Sequence, residues 1–195
     1  MSIWVFDTPP AVFIRIRKTG STSIVRGIFK GRGVAHTVTG SSFPPEWKSR
    51  FVFAFVRNPF DRLVSSLEMF QTYPVKSEQD ASIRSGLGLH DVMDVIEDDT
   101  IPIAGETYVS KLRQHAIQMT HGTYFLNEAD FIGRFERFEK DCRHVYRQLG
   151  MEEPEIIPHR RNTPPRDYRS YFDKSTRSRA EQIFAEDLER FDYNF

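Results

Sequence analysis

Apolar and polar positions alternate along the chain in blocks that predict strands and helices by turns. Ala11 to Arg17 (AVFIRIR) is a short β-branched and aromatic run. A Gly and hydroxyl cluster follows it, and then Ser23 to Phe29 (SIVRGIF), which reads as a helix opening, so the unit is strand, tight loop, helix. Phe51 to Val56 (FVFAFV) is continuously apolar, the mark of a strand buried on both faces as in a parallel sheet. Arg57-Asn58-Pro59 ends that strand. Asn58 caps, and Pro59 takes the first position of a helix from about Phe60 to Tyr73. The strand-loop-helix unit thus occurs twice.

Farther along, Pro74 to Gly88 is polar and reads as a surface loop leading to a short helix, Leu89 to Glu97. Tyr108 to Met119 has a helical pattern, Thr123 to Leu126 and Phe131 to Phe135 read as short strands, and Glu136 to Leu149 is amphipathic and closes at Gly150. Pro154 to Pro165 reads as a loop. Ser175 to Phe191 reads as a final helix with Ile183, Phe184, Leu188 and Phe191 on one apolar stripe. The alternation predicts an α/β domain with a mainly parallel central sheet flanked by helices. Ligands of such sheets bind beyond the carboxyl ends of the strands.

The chain has 195 residues, enough for a single domain spanning residues 1–195 with one sizeable core. Lys plus Arg and Asp plus Glu are both 27, so net charge draws the protein neither to nucleic acid nor to an anionic membrane, and an anion site has to be a local cluster. Cys142 is the only cysteine, which excludes an intramolecular disulfide and a cysteine-based zinc cage. The first ten residues carry no basic leader or long apolar run, so neither a signal peptide nor a membrane span is expected, and a cytoplasmic location is.

Lys18-Thr19-Gly20-Ser21-Thr22-Ser23 (KTGSTS) combines a cation, a glycine allowing close backbone approach and hydroxyls that lead into a helix N-terminus. Free N–H groups and the helix dipole there favour an anion. An ordinary Gly/Ser turn is the competing reading. Because the lysine precedes the glycine, and no G-x-x-x-x-G-K-[ST] string occurs anywhere, the nucleotide-kinase P-loop is disfavoured. The second element, Arg57 to Ser65 (RNPFDRLVS), puts Arg57 at a strand end and Arg62 and Ser65 three apart on one helical face. Guanidinium binds phosphate through paired N–H donors and a serine hydroxyl adds a neutral contact. For Arg62, pairing with a nearby carboxylate is the better reading.

In these two motifs the chain resembles the PAPS-dependent sulfotransferases (PAPS is 3′-phosphoadenosine 5′-phosphosulfate), especially the carbohydrate branch with its uronyl 2-O and chondroitin enzymes and many bacterial relatives. The likeness runs from about Val12 to Phe195. It includes Asp130 to Glu136 (DFIGRFE) and the late loop His159 to Asn162. It implies a P-loop-kinase-like sulfotransferase fold, PAPS as donor and 3′-phosphoadenosine 5′-phosphate (PAP) as product. By the same resemblance Lys18 contacts the bridging oxygen or the transferring sulfuryl group, backbone N–H groups of Gly20 to Ser23 hold the 5′-phosphate, and Arg57 and Ser65 hold the 3′-phosphate. Arg161 in the late loop adds a phosphate or adenine contact, unless it is simply solvated. A general base is required for a hydroxyl acceptor, and His36 leads, with Glu46 next. His115 is a weaker candidate, expected as a polar residue on a mostly solvated helix. His90, His121 and His144 lack partners at metal-ligand spacing, so no metal site is expected. Cys142 reads as a partly buried side chain without a nucleophile signature, and Phe131 to Phe138 as core. The acceptor's hydroxyl or amine is not identified by these motifs: a carbohydrate is one candidate, and a nucleotide sugar, a lipid-linked sugar or a small metabolite fits equally. The rival functions are a small-molecule kinase of related fold and an inactive nucleotide-binding module, which would be expected to have lost Lys18 or Arg57.

Overall fold

The computed structural model describes residues 2–37, 43–98, 100–101, 107–120, 125–158 and 166–195. The chain forms two compact units, one from Met1–Arg57 with His121–Pro165, the other from Asn58–Thr120 with Arg166–Phe195.

The first unit is built on a five-stranded sheet: β1 (Ser2–Asp7), β2 (Pro10–Arg15), β3 (Val34–Thr37), β4 (Phe51–Val56) and β5 (Phe131–Arg134), in spatial order β3-β1-β2-β4-β5. β2, β4 and β5 run parallel, while β1 pairs antiparallel with both β2 and β3. The sheet is therefore mixed, parallel over only half of its pairings, where the strand pattern predicts a mainly parallel one. β1 and β3 make the difference. β3 is four residues long and exposed throughout, with Val34 59% exposed, so no buried alternation marks it in the sequence. By contrast the run FVFAFV of β4 lies between β2 and β5 and is buried from Val52 to Val56.

Helix α1 (Ser21–Ser23) continues as a π-helical stretch, Ile24–Ile28, and packs Ile24, Val25 and Ile28 into the core of this unit. Stacked rings of Phe6 and Phe29, and of Phe13 and Phe53, fill the same core. Phe138, Cys142, Val145 and Tyr146 of α6 (Phe138–Gln148) close it. These four recur at the i, i+4, i+7, i+8 spacing of one buried helical face. The expected strand at Thr123 to Leu126 lies partly outside the described residues, and Leu126 begins a 3₁₀ turn, Leu126–Glu128.

The second unit is helical: α2 (Pro59–Gln71), α3 (Glu78–Gly86), α4 (Leu89–Glu97), α5 (Tyr108–Thr120), α7 (Lys174–Ile183) and α8 (Ala185–Arg190). α3 occupies what reads as a loop. It buries no residue, so its sequence has no apolar stripe, and Ser77 caps it by accepting from Asp80 N at 3.1 Å. The single helix expected from Ser175 to Phe191 breaks at Phe184, whose backbone leaves the helical region (φ −108°, ψ 19°) while its ring stays buried. Phe60, Leu63, Val64, Leu67 and Phe70 of α2 form the centre, against Val92 and Met93 of α4 and Tyr108, Leu112 and Ala116 of α5. His115 shares the buried face of α5 and is 6% exposed, with Nδ1 3.3 Å from Ser66 Oγ. It is a core residue, contrary to the solvated position expected for it. Among the described residues no helix is long and apolar enough to cross a membrane.

Arg62 is 2% exposed and donates to the buried Asp187 of α8. Breaking a buried pair leaves an uncompensated charge, whereas replacing both partners by apolar groups of similar volume does not. Asp187→Ala is expected to destabilise the protein by about 3–5 kcal/mol. Arg62→Met with Asp187→Leu should cost far less, and urea unfolding of the three proteins checks the difference.

Candidate active site

β2 and β4 are parallel neighbours, registered from Ala11 opposite Phe51 to Ile14 opposite Ala54, so their carboxyl ends lie side by side. Beyond β2 the chain turns sharply. Lys18 adopts the left-handed conformation (φ 65°), and so does Gly20 (φ 82°), which precedes the first helical residue. Thr19 is fully buried, and its hydroxyl donates to Ile16 O at 2.9 Å, pinning the turn to the end of the strand. Gly20 O accepts from Ser23 N at 2.9 Å and from Ile24 N at 3.2 Å, which starts the helix. The first N–H groups of a helix lack intrahelical partners and attract anions.

Only glycine fits at position 20, for two reasons. Its φ is unfavourable for L side chains, and an added Cβ would stand 2.5 Å from Cε2 of Phe138.

Arg57 follows β4 directly and is 7% exposed. Its Nη1 donates to Lys18 O at 3.0 Å, and its guanidinium lies 4.2 Å above the ring of Phe135. The two motifs that the sequence separates by 39 positions meet in this hydrogen bond. The phenyl ring orients the guanidinium plane and excludes water from one side of it. A left-handed non-glycine residue carries a conformational cost, and here the Arg57 donor holds the carbonyl of that residue in place.

A second guanidinium stands at the same loop. Arg15, the last residue of β2, has its Nε 3.5 Å from Ser21 Oγ, and burial pushes its pKa below the ordinary arginine value. Sequence reading missed this residue. The available signal was its position three before Lys18 at the end of the strand.

Of the remaining predicted site residues, Thr22 is half-buried and Ser21 and Ser23 are buried. Ser65 sits buried on α2 in the helical unit. Arg62 is engaged by Asp187, as the carboxylate-pairing reading has it. Arg161 lies outside the described residues.

His36 is exposed on β3. It pairs with Ile3 of β1, which in turn pairs with Ile14 of β2, so His36 stands two strand spacings, about 10 Å, from the row of Ile14. Its ring meets Trp47 edge-on at 5.2 Å, and Glu46, exposed, precedes that tryptophan. His36 thus contacts the buried indole of Trp47, and Glu46 is its neighbour along the chain.

Cys142 is 1% exposed, and desolvation, with the neighbouring Asp141 charge second, pushes its thiol well above the usual range, so no thiolate nucleophile forms. Among the described residues no group of three or more His, Cys, Asp or Glu side chains is placed to hold a metal ion.

A glycine and hydroxyl loop after the first parallel strand and a buried arginine after its neighbour thus meet at adjacent strand ends. The chain belongs to the sulfotransferase family, whose model matches residues 1–194. These are enzymes that transfer a sulfuryl group. No curated protein and no solved structure matches the chain.

Gly20→Ala is expected to destabilise the protein by about 1–3 kcal/mol through strain and the clash with Phe138. The equivalent change at Gly31 (φ 75°), where an added Cβ meets nothing within 4 Å, makes no such contact and tests the strain alone. Thermal unfolding of the two variants separates the contributions.

Proposed function

We propose that the protein transfers the sulfuryl group of PAPS to a hydroxyl or amine of an acceptor, with a carbohydrate as the first candidate. The hydrogen bond from Arg57 to the carbonyl of Lys18 carries this reading, because it joins the two anion-binding motifs at neighbouring strand ends. The family match covers both compact units and supports reading them as one catalytic domain.

In this account the N–H groups of Gly20, Ser21 and Thr22 hold the 5′-phosphate, whereas that of Ser23, expected among them, is taken by Gly20 O at 2.9 Å, and the hydroxyls of Thr19, Ser21 and Thr22 shape the loop around it. Lys18 faces the bridging oxygen and neutralises the negative charge that accumulates there as the S–O bond breaks. Arg57 and Ser65 bind the 3′-phosphate, and Arg161 adds a contact to the nucleotide. His36 accepts the acceptor's proton as its oxygen bonds to sulfur, with Glu46 as the alternative base. PAP leaves with the electron pair of the broken bond. In-line placement of the acceptor and the leaving group does most of the work, as in phosphoryl transfer.

The kinase reading has no G-x-x-x-x-G-K-[ST] string to stand on, and the inactive-module reading has to explain why both Lys18 and Arg57 are retained.

Arg57→Ala is expected to weaken PAP binding by about 10–100-fold while adenosine 5′-phosphate loses much less. Calorimetric titration reads both, and equal losses would contradict the two-phosphate account. With an acceptor in hand, Lys18→Ala should lower kcat by about 10²–10³-fold. His36→Ala should collapse the rate with donor affinity preserved, and an unchanged rate moves the base to Glu46.

A further inference from the structure

The first turn of α2 is gripped, residue after residue, by the segment Arg166–Phe195 of its own unit. Asn58 Oδ1 caps the helix by accepting from Phe60 N at 3.0 Å, which leaves its amide nitrogen to donate to Asn194 O at 2.9 Å and to the Tyr168 hydroxyl at 3.2 Å. Phe60 meets Phe195 edge-on at 4.9 Å and Phe172 at 5.5 Å. The guanidinium of Arg177 lies 4.3 Å from the centre of the Phe195 ring. Asp61 accepts from Arg166 Nη2 at 3.1 Å, and Arg62 donates to Asp187.

The grip extends two turns along the helix. Arg166 Nε is 3.1 Å from Glu68 Oε1, an ion pair without hydrogen-bond alignment, and the Tyr171 hydroxyl donates to the same oxygen at 2.9 Å. Asp61 and Glu68 are seven apart, and Ser65 falls between them on the same helical face. One arginine therefore bridges the two carboxylates on either side of the serine assigned to the donor.

We infer that Asn58 and Arg166 are positioning residues for donor recognition. They fix the axial rotation and register of α2, and so the direction of the Ser65 hydroxyl. This rests on the proposal that Ser65 binds the 3′-phosphate. It also divides the hexapeptide Arg57 to Arg62 by role: Arg57 serves the ligand, whereas Asn58, Phe60, Asp61 and Arg62 serve the fit of α2 to the chain's last segment.

The test uses the whole chain and two substitutions. Asn58→Ser keeps a side chain that caps helices equally well and removes the amide donor. Arg166→Leu keeps an apolar stem and removes both ion pairs. Each is expected to weaken PAP binding about tenfold, the worth of one hydrogen bond to a charged group, while adenosine 5′-phosphate changes less than about twofold. Amide exchange over the peptide 59–71, read by mass spectrometry, should quicken in both variants. Should Arg166→Leu fail to fold, Tyr168→Phe removes only the hydroxyl partner of Asn58 and is expected to give a loss of about threefold in PAP affinity alone. Unchanged PAP affinity, equal loss of both nucleotides, or unchanged exchange over α2 overturns the inference. A wild-type protein that does not prefer PAP overturns the donor proposal itself and the role of Ser65 with it, whereas a selective wild type with indifferent variants overturns only the positioning role.

Discussion

One hydrogen bond organises the site: the donation from Arg57 Nη1 to the carbonyl of Lys18. Its two ends come from neighbouring parallel strands, and each would be poorly placed without the other. Lys18 sits in a left-handed conformation that a long side chain rarely adopts. Arg57 is a nearly buried cation whose charge has to be met by polar partners or by a ligand. The carbonyl of Lys18 and the face of Phe135 are among the partners that meet that demand. Arg15, also desolvated, adds positive potential to the same loop.

The two units differ in construction. The sheet unit supplies loop geometry: a fully buried threonine to pin the turn, a glycine pressed against Phe138, and a helix whose first N–H groups face the loop. The helical unit supplies α2, whose core face of Phe60, Leu63, Val64, Leu67 and Phe70 anchors it and whose polar residues are fixed by the last segment of the chain. Within the nine residues Arg57 to Ser65, burial and partners separate those fixed by the fold from those proposed for the ligand. Arg62 is the clearest case, because a guanidinium paired with buried Asp187 is unavailable to a phosphate.

Sequence made the parallel part of the fold legible because local signals sufficed there. The unbroken apolar run of β4, the Asn-Pro start of α2 and the i, i+4 spacing of α6 each declare themselves within a dozen residues. What escaped depends on distant partners or lacks an apolar face. β3 is an exposed edge defined by its pairing with β1, α3 buries nothing, and the break at Phe184 keeps its ring in the core on both sides of the interruption. The same holds for the site. KTGSTS and Arg57 were visible as anion-binding residue types, but their contact required the β2–β4 register. His115 looked solvated because a single histidine among polar neighbours hides the stripe of Tyr108, Leu112 and Ala116 to which it belongs.

The central claim is that the paired motifs form a site for a nucleotide bearing both 5′- and 3′-phosphates. Calorimetric titration of the wild-type protein with PAP, beside ATP and adenosine 5′-phosphate, tests it most directly. The account predicts micromolar binding of PAP with ATP and adenosine 5′-phosphate at least about tenfold weaker, the worth of one charge-assisted hydrogen bond to the 3′-phosphate. No binding of PAP, or a preference for ATP, would contradict it.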